Sequence, residues 1–148
     1  MPWVPTSARR PIAVIISYVT EVDAETVRSS YAALNRGDVQ RALDALHRDA
    51  VWRESPELPG SDRFEGRGAI EEFLVGFLEQ WDTFHQRVES TVSEGDRIVA
   101  LIHLTAVARE SGAEVNAHYA HLWAMRDGRG VSVDAFYDPQ RALRELRA

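Results

Sequence analysis

A chain of 148 residues, 45% hydrophobic and 27% charged, has the size and composition of one globular domain able to bury its own core. Without a cysteine it has no disulfide, thiolate metal site or cysteine nucleophile. A formal charge of −6 with no long like-charge run opposes binding to nucleic acid or anionic lipid.

In chain order, residues 1–22 read as an N-terminal extension. Pro2, Pro5 and Pro11 loosen its start, and the apolar run from Ile12 to Val19 is far too short to span a bilayer. That run follows Arg9-Arg10 without a small-residue cleavage site, so the expected location is cytoplasmic. Its β-branched composition suits an extra edge strand, the alternative being a loose tail. From Asp23 a helix is predicted, with Val27, Tyr31 and Leu34 on one face and Gly37 as the stop. Asp38 caps a shorter helix with the stripe Val39, Ala42, Leu43 and Leu46, ended by His47-Arg48-Asp49. A strand follows from Ala50 to Glu54, then a Pro- and Gly-rich loop from Ser55 to Gly66. Ile70, Phe73, Leu74, Phe77, Leu78 and Trp81 form the strongest helical stripe of the chain.

Beyond Trp81 the period changes from 3.6 to 2. Gly95-Asp96, Ser111-Gly112 and Asp127-Gly128 separate four strands at about Phe84 to Glu94, Arg97 to Arg109, Glu114 to Arg126 and Val131 to Tyr137. Short connections make them antiparallel in sequence order. Asp138-Pro139 opens a terminal helix that Leu143 and Leu146 can tuck back. Helices, one strand, then a meander define an α+β class with one domain over residues 23–148.

Four strings carry a resemblance: Tyr31-Ala-Ala-Leu-Asn-Arg-Gly-Asp38, Asp49-Ala-Val-Trp-Arg-Glu54, Phe64-Glu-Gly-Arg67 and His121-Leu-Trp-Ala-Met-Arg-Asp-Gly128. In order and spacing they resemble the SnoaL-like, nuclear transport factor 2-like superfamily, which includes ketosteroid isomerase-like and polyketide cyclase-like proteins. The resemblance implies a cone-shaped fold, with N-terminal helices packed on a strongly curved, mostly antiparallel sheet around a pocket for a small hydrophobic molecule. It implies no particular reaction, because the fold hosts several activities and plain binders.

The resemblance places Glu54 at the isomerase's general-base position. Period 2 sets Trp52 on the same face, where an apolar neighbour raises a carboxylate pKa toward values useful for proton abstraction. The resemblance also implies that His103 and Thr105 of one strand, and His118, Ala120 and Leu122 of the next, face the pocket. Glu54, His103 and His118 are therefore the candidate catalytic set, with Trp52, Tyr31, Thr105, Leu122, Val133 and Tyr137 as candidate ligand contacts. Tyr31 and the third-helix stripe, Phe73, Phe77 and Trp81, equally suit plain core.

His118 and His121 fall on opposite faces of one strand and cannot chelate one ion, so neither metal nor cofactor is expected. His121 reads as a surface or interface residue. The isomerase's tyrosine and acid correspond to Ser30 and Ala120, and the cyclases' aspartate to Ala135, so neither exact activity is expected. Two functions remain: a cofactor-independent acid–base enzyme on an oxygenated hydrophobic metabolite, or a non-catalytic ligand-binding domain. A homodimer is expected through the outer sheet face, because Ile102, Leu104, Ala106, Tyr119, Trp123, Met125 and Phe136 would otherwise be an exposed apolar patch.

Overall fold

The computed structural model describes residues 12–148 except Glu57. Helix α1 spans Ile12–Asn35. Val27, Tyr31 and Leu34 are its buried stripe, and Gly37 ends it with φ +77°, a left-handed conformation in which its N–H reaches the Leu34 carbonyl at 2.9 Å. The segment expected as tail or edge strand is instead continuous with α1 from Ile12. The strand propensity of a β-branched run is a weak preference, and extending an existing helix adds a hydrogen bond for each residue fixed. Residues 1–11 lie outside the described residues.

Asp38 caps α2, Val39–Leu43, by accepting from the Arg41 N–H at 3.1 Å. The helix stops short of its expected end because Leu46 opens strand β1, Leu46–Glu54, where its side chain is 2% exposed. His47, Arg48 and Asp49 thus belong to a strand rather than a helix end. Strand β2, Arg63–Glu65, pairs antiparallel with β1 inside the segment expected to be loop. Helix α3 is Arg67–Leu78. Trp81 starts β3, Trp81–Glu94, followed by β4, Arg97–Ala108, β5, Glu114–Arg126, and β6, Arg129–Phe136. Helix α4, Pro139–Arg147, has Asp138 accepting from the Gln140 N–H and a proline in its first turn.

The sheet order is β2-β1-β6-β5-β4-β3. Strands β3 to β6 form the antiparallel meander, and β1 joins parallel to β6, which gives a curved, unclosed mixed sheet in an α+β fold. Asp127 and Gly128, at φ 53° and 80°, turn β5 into β6 with the left-handed pair that a two-residue hairpin requires. The inner sheet face packs on α1, α2 and α3 around Trp52, Ile98, Ala100, Ile102, Trp123 and Val133. On the outer face α4 covers a second cluster, with Ala142 and Leu146 against Val99, Ala120, Leu122 and Phe136. No described helix is long and apolar enough to cross a membrane.

Candidate active site

Between the inner sheet face and α1 and α3 lies a cavity of about 280 Å³, room for roughly nine waters at ~30 Å³ each. Its wall is mostly aromatic. Phe73 and Phe77 come from α3, Trp81 from β3, Trp52 from β1, and Tyr119, His121 and Trp123 from β5. These rings touch one another: Trp52 meets Phe73 at 5.9 Å and His121 at 5.0 Å between centroids, and Phe77 meets Trp81 at 5.9 Å. Tyr137, also on the wall, is 71% exposed and sits at the rim.

Three polar devices break this apolar lining. The first is a relay from β5 to α1. The Trp123 indole N–H donates to Tyr31 Oη at 2.9 Å, and Tyr31 Oη lies 2.6 Å from His121 Nδ1. Tyr31 Oη accepts from the indole, and among the described residues His121 Nδ1 is the one acceptor within reach of the phenol proton, so satisfying that proton assigns the imidazole proton to Nε2. Burial lowers the His121 pKa from 6.5 to about 3, which keeps the ring neutral. Burial likewise pushes Tyr31 well above the ordinary phenol range, against the lowering effect of the Trp123 N–H. Nε2–H has no hydrogen-bond partner among the described residues.

The second device is Glu54 at the end of β1, whose Oε1 accepts from the Trp52 indole N–H at 2.8 Å. Burial raises this carboxyl's pKa; the indole bond opposes the rise and Asp62 adds to it. The following residue, Ser55, has φ 47°, and its N–H donates to Ala135 O at 2.8 Å, turning the chain away just after Glu54. The third device is Tyr119, which accepts from Gln86 Nε2 and keeps its own proton free to donate. Its pKa is pushed up to about 12, first by burial, with Gln86 lowering it and the charge of Glu54 raising it. Asn35 locks the Gln86 backbone from both sides at 2.8 and 2.9 Å. Gln86 Oε1 and Trp81 Nε1, both on cavity residues, are buried without partners among the described residues.

Glu54, Trp52, Tyr31 and Tyr137 thus come together at the cavity. His103 and Thr105 do not: Ile102, Leu104 and Ala106 are the buried alternate residues of β4, so His103 and Thr105 point to the outer face. His118 borders the cavity, but its ring stacks on His103 at 4.3 Å on that outer side. Leu122 packs under α4 rather than against the cavity, and so does Ala120, which therefore is not the counterpart of a pocket acid. Val133 is core, 1% exposed. His121, expected at the surface, is 5% exposed and the central polar group of the wall. Ile102, Leu104, Ala106, Trp123, Met125 and Phe136, on which the dimer expectation rested, are buried within the chain, and Tyr119 is partly buried and packed against the same core. The signal for the correct faces was the chain's own alternation: Ile102, Leu104 and Ala106 against His103 and Thr105 is an apolar-in, polar-out pattern.

The SnoaL-like domain family matches residues 27–133, and the chain belongs to it. No curated protein sequence matches significantly. Among solved structures, a candidate polyketide cyclase from Xanthomonas campestris pv. campestris is 22% identical, with TM-score 0.70, covering 86% of this chain and 98% of its own. A candidate SnoaL-like polyketide cyclase from Jannaschia sp. CCS1 is 18% identical, TM-score 0.71, with coverages of 86% and 93%. TerC, crystallised with polyporic acid, is 23% identical, TM-score 0.69, with coverages of 84% and 97%. These likenesses establish the fold, which is that of nuclear transport factor 2-like proteins.

Proposed function

We propose that this protein is a cofactor-independent acid–base enzyme acting on a small, flat, oxygenated metabolite held in the aromatic cavity. The observation that carries the reading is the pairing of opposites in one apolar wall: a carboxylate whose pKa is raised by burial, and an imidazole held neutral with its Nε2–H uncommitted. Groups pushed apart in this way divide proton transfer and oxygen stabilisation between them. Ionised Glu54 takes a proton from carbon next to a carbonyl. The electron pair moves onto the carbonyl oxygen, where His121 Nε2–H and the Tyr119 hydroxyl stabilise the developing charge; Glu54 then returns the proton to a different carbon in an isomerisation, or, where the enolate carbon attacks a second carbonyl of the same molecule and closes a ring, to the new alkoxide oxygen. The edge-to-face rings of the wall suit a flat partner. Candidate polyketide cyclases and a protein crystallised with polyporic acid among the structural relatives favour an oxygenated carbon skeleton.

The test follows deuterium uptake from solvent into cyclic and aryl ketones by mass spectrometry, with binding followed by tryptophan quenching. Wild type is expected to exchange the proton adjacent to the carbonyl, and Glu54→Gln to lose at least a hundredfold in rate while binding within a few-fold of wild type. Equal exchange in both proteins removes Glu54 from the chemistry. Binding with no exchange by either protein supports the non-catalytic ligand-binding domain instead.

A further inference from the structure

On the outer face of the sheet, in a cluster that the cavity chemistry does not use although His118 also borders the cavity, His103 of β4 and His118 of β5 lie directly opposite each other in the strand register. Their rings stack within 5° of parallel at 4.3 Å. Strand β3 carries a bulge between Val88 and Ser90, so that Glu89 is the extra residue without a partner on β4. Bulges re-aim side chains, and here the carboxylate reaches across β4 to His118, with Oε1 at 3.5 Å from Nε2. The donor atoms of Glu89, His103 and His118 all fall within 4.8 Å of one another.

We propose that Glu89, His103 and His118 form a three-ligand site for a divalent transition metal of the zinc class. Two imidazoles and one carboxylate are a donor set that suits such ions and leaves a fourth position open. His103 is already held as a ligand needs to be. Its Nε2 lies 2.6 Å from Asn116 Oδ1, an acceptor, so Nε2 carries the proton and Nδ1 the lone pair, the outer hydrogen bond that commonly orients a metal-bound histidine.

The space between the donors is taken by a cation. The Arg87 guanidinium nitrogen lies 3.3 Å from His103 Nδ1 and 3.1 Å from Glu89 Oε2, bridging two of the three lone-pair donors. Its side chain is 61% exposed and can leave. A metal exchanges one positive group for another, so the arginine both marks the position and weakens the site. Donors of a tetrahedral zinc site with ~2.0 Å bonds stand about 3.3 Å apart, a closure within the rotamer freedom of these partly exposed side chains.

The experiment titrates Zn2+ into the full chain, free of affinity tags, against a chromophoric chelator, and repeats the titration on His103→Ala, His118→Ala, the double variant and Arg87→Gln. The expected result is one Zn2+ per chain, binding at least tenfold weaker in either single alanine variant and several-fold tighter in Arg87→Gln. Added Zn2+ should raise the unfolding temperature of wild type and not of the double variant, whose own melting curve shows that it is folded. Absence of saturable Zn2+ binding by wild type, or binding unchanged in the folded double variant, would overturn the proposal.

Discussion

His121 makes the candidate site sensitive to acid, and the sign follows from its surroundings. In the unfolded chain the ring titrates near 6.5, while in the fold burial lowers it to about 3. Above the unfolded value both states are neutral and no penalty exists. As pH falls below 6.5 the unfolded chain takes up a proton that the folded one refuses, and stability declines until the folded ring protonates. At pH 4.5 the loss is about 2 to 3 kcal/mol relative to pH 7, at 1.36 kcal/mol for each pH unit. Urea unfolding at the two pH values should therefore show a drop in wild type that shrinks by that amount in His121→Gln. Glu54 has the opposite sign. Its pKa is raised in the fold, so its contribution is favourable at low pH and lost as pH rises through the folded value, and Glu54→Gln should be at least as stable as wild type at pH 7. Tyr31→Phe removes the acceptor of the Trp123 N–H and the donor to His121 Nδ1 together. Two buried groups without partners should cost about 2 to 4 kcal/mol in chemical unfolding.

In strand β5 the ends and the facing have different physical origins. Its ends are legible from the sequence at Glu114 and Arg126, because turn residues flank a period-2 run, but its facing is set by register, and one residue of slip exchanges every side chain between faces. Motif matching placed His118, Ala120 and Leu122 inward. The register pairs Ile98 with Trp123, Ala100 with His121 and Ile102 with Tyr119, which puts the bulky residues inside and Leu122 under α4. Glu54 is legible through the match of its strand motif to the isomerase pattern, and Trp52 because period 2 sets it on the same face of that strand. The hydrogen bonds among Trp123, Tyr31 and His121 are not, since they join positions some 90 residues apart. Gly130 secures this facing: a Cβ there would lie 2.7 Å from the Trp123 ring. Gly130→Ala must therefore displace the indole or the strand, at an expected cost of about 1 to 3 kcal/mol, read as a lowered melting temperature with perturbed tryptophan fluorescence.

The molecule as a whole spends the two faces of one sheet differently. The inner face, under α1 to α3, holds the cavity; the outer face is apolar where α4 covers it and carries His103, Thr105 and His118 elsewhere. Helix α4 is fastened there by Leu146, 1% exposed, and by the Arg97 guanidinium, which donates to the Glu145 and Leu146 carbonyls at 3.0 and 2.7 Å. Leu146→Ala should destabilise the entire domain by about 2 to 4 kcal/mol in a single cooperative transition, because it opens the outer cluster shared by β4, β5 and β6. The cavity site and the outer-face histidine pair both depend on which face of the sheet His121 occupies, and nitrogen-15 NMR of the histidine rings tests that most directly. His121 is expected to remain a neutral ring with its proton on Nε2 from pH 8 down to about 4.5, and to lose that fixed tautomer in Tyr31→Phe. A His121 ring that titrates near pH 6.5 would place it at the surface and contradict the site described.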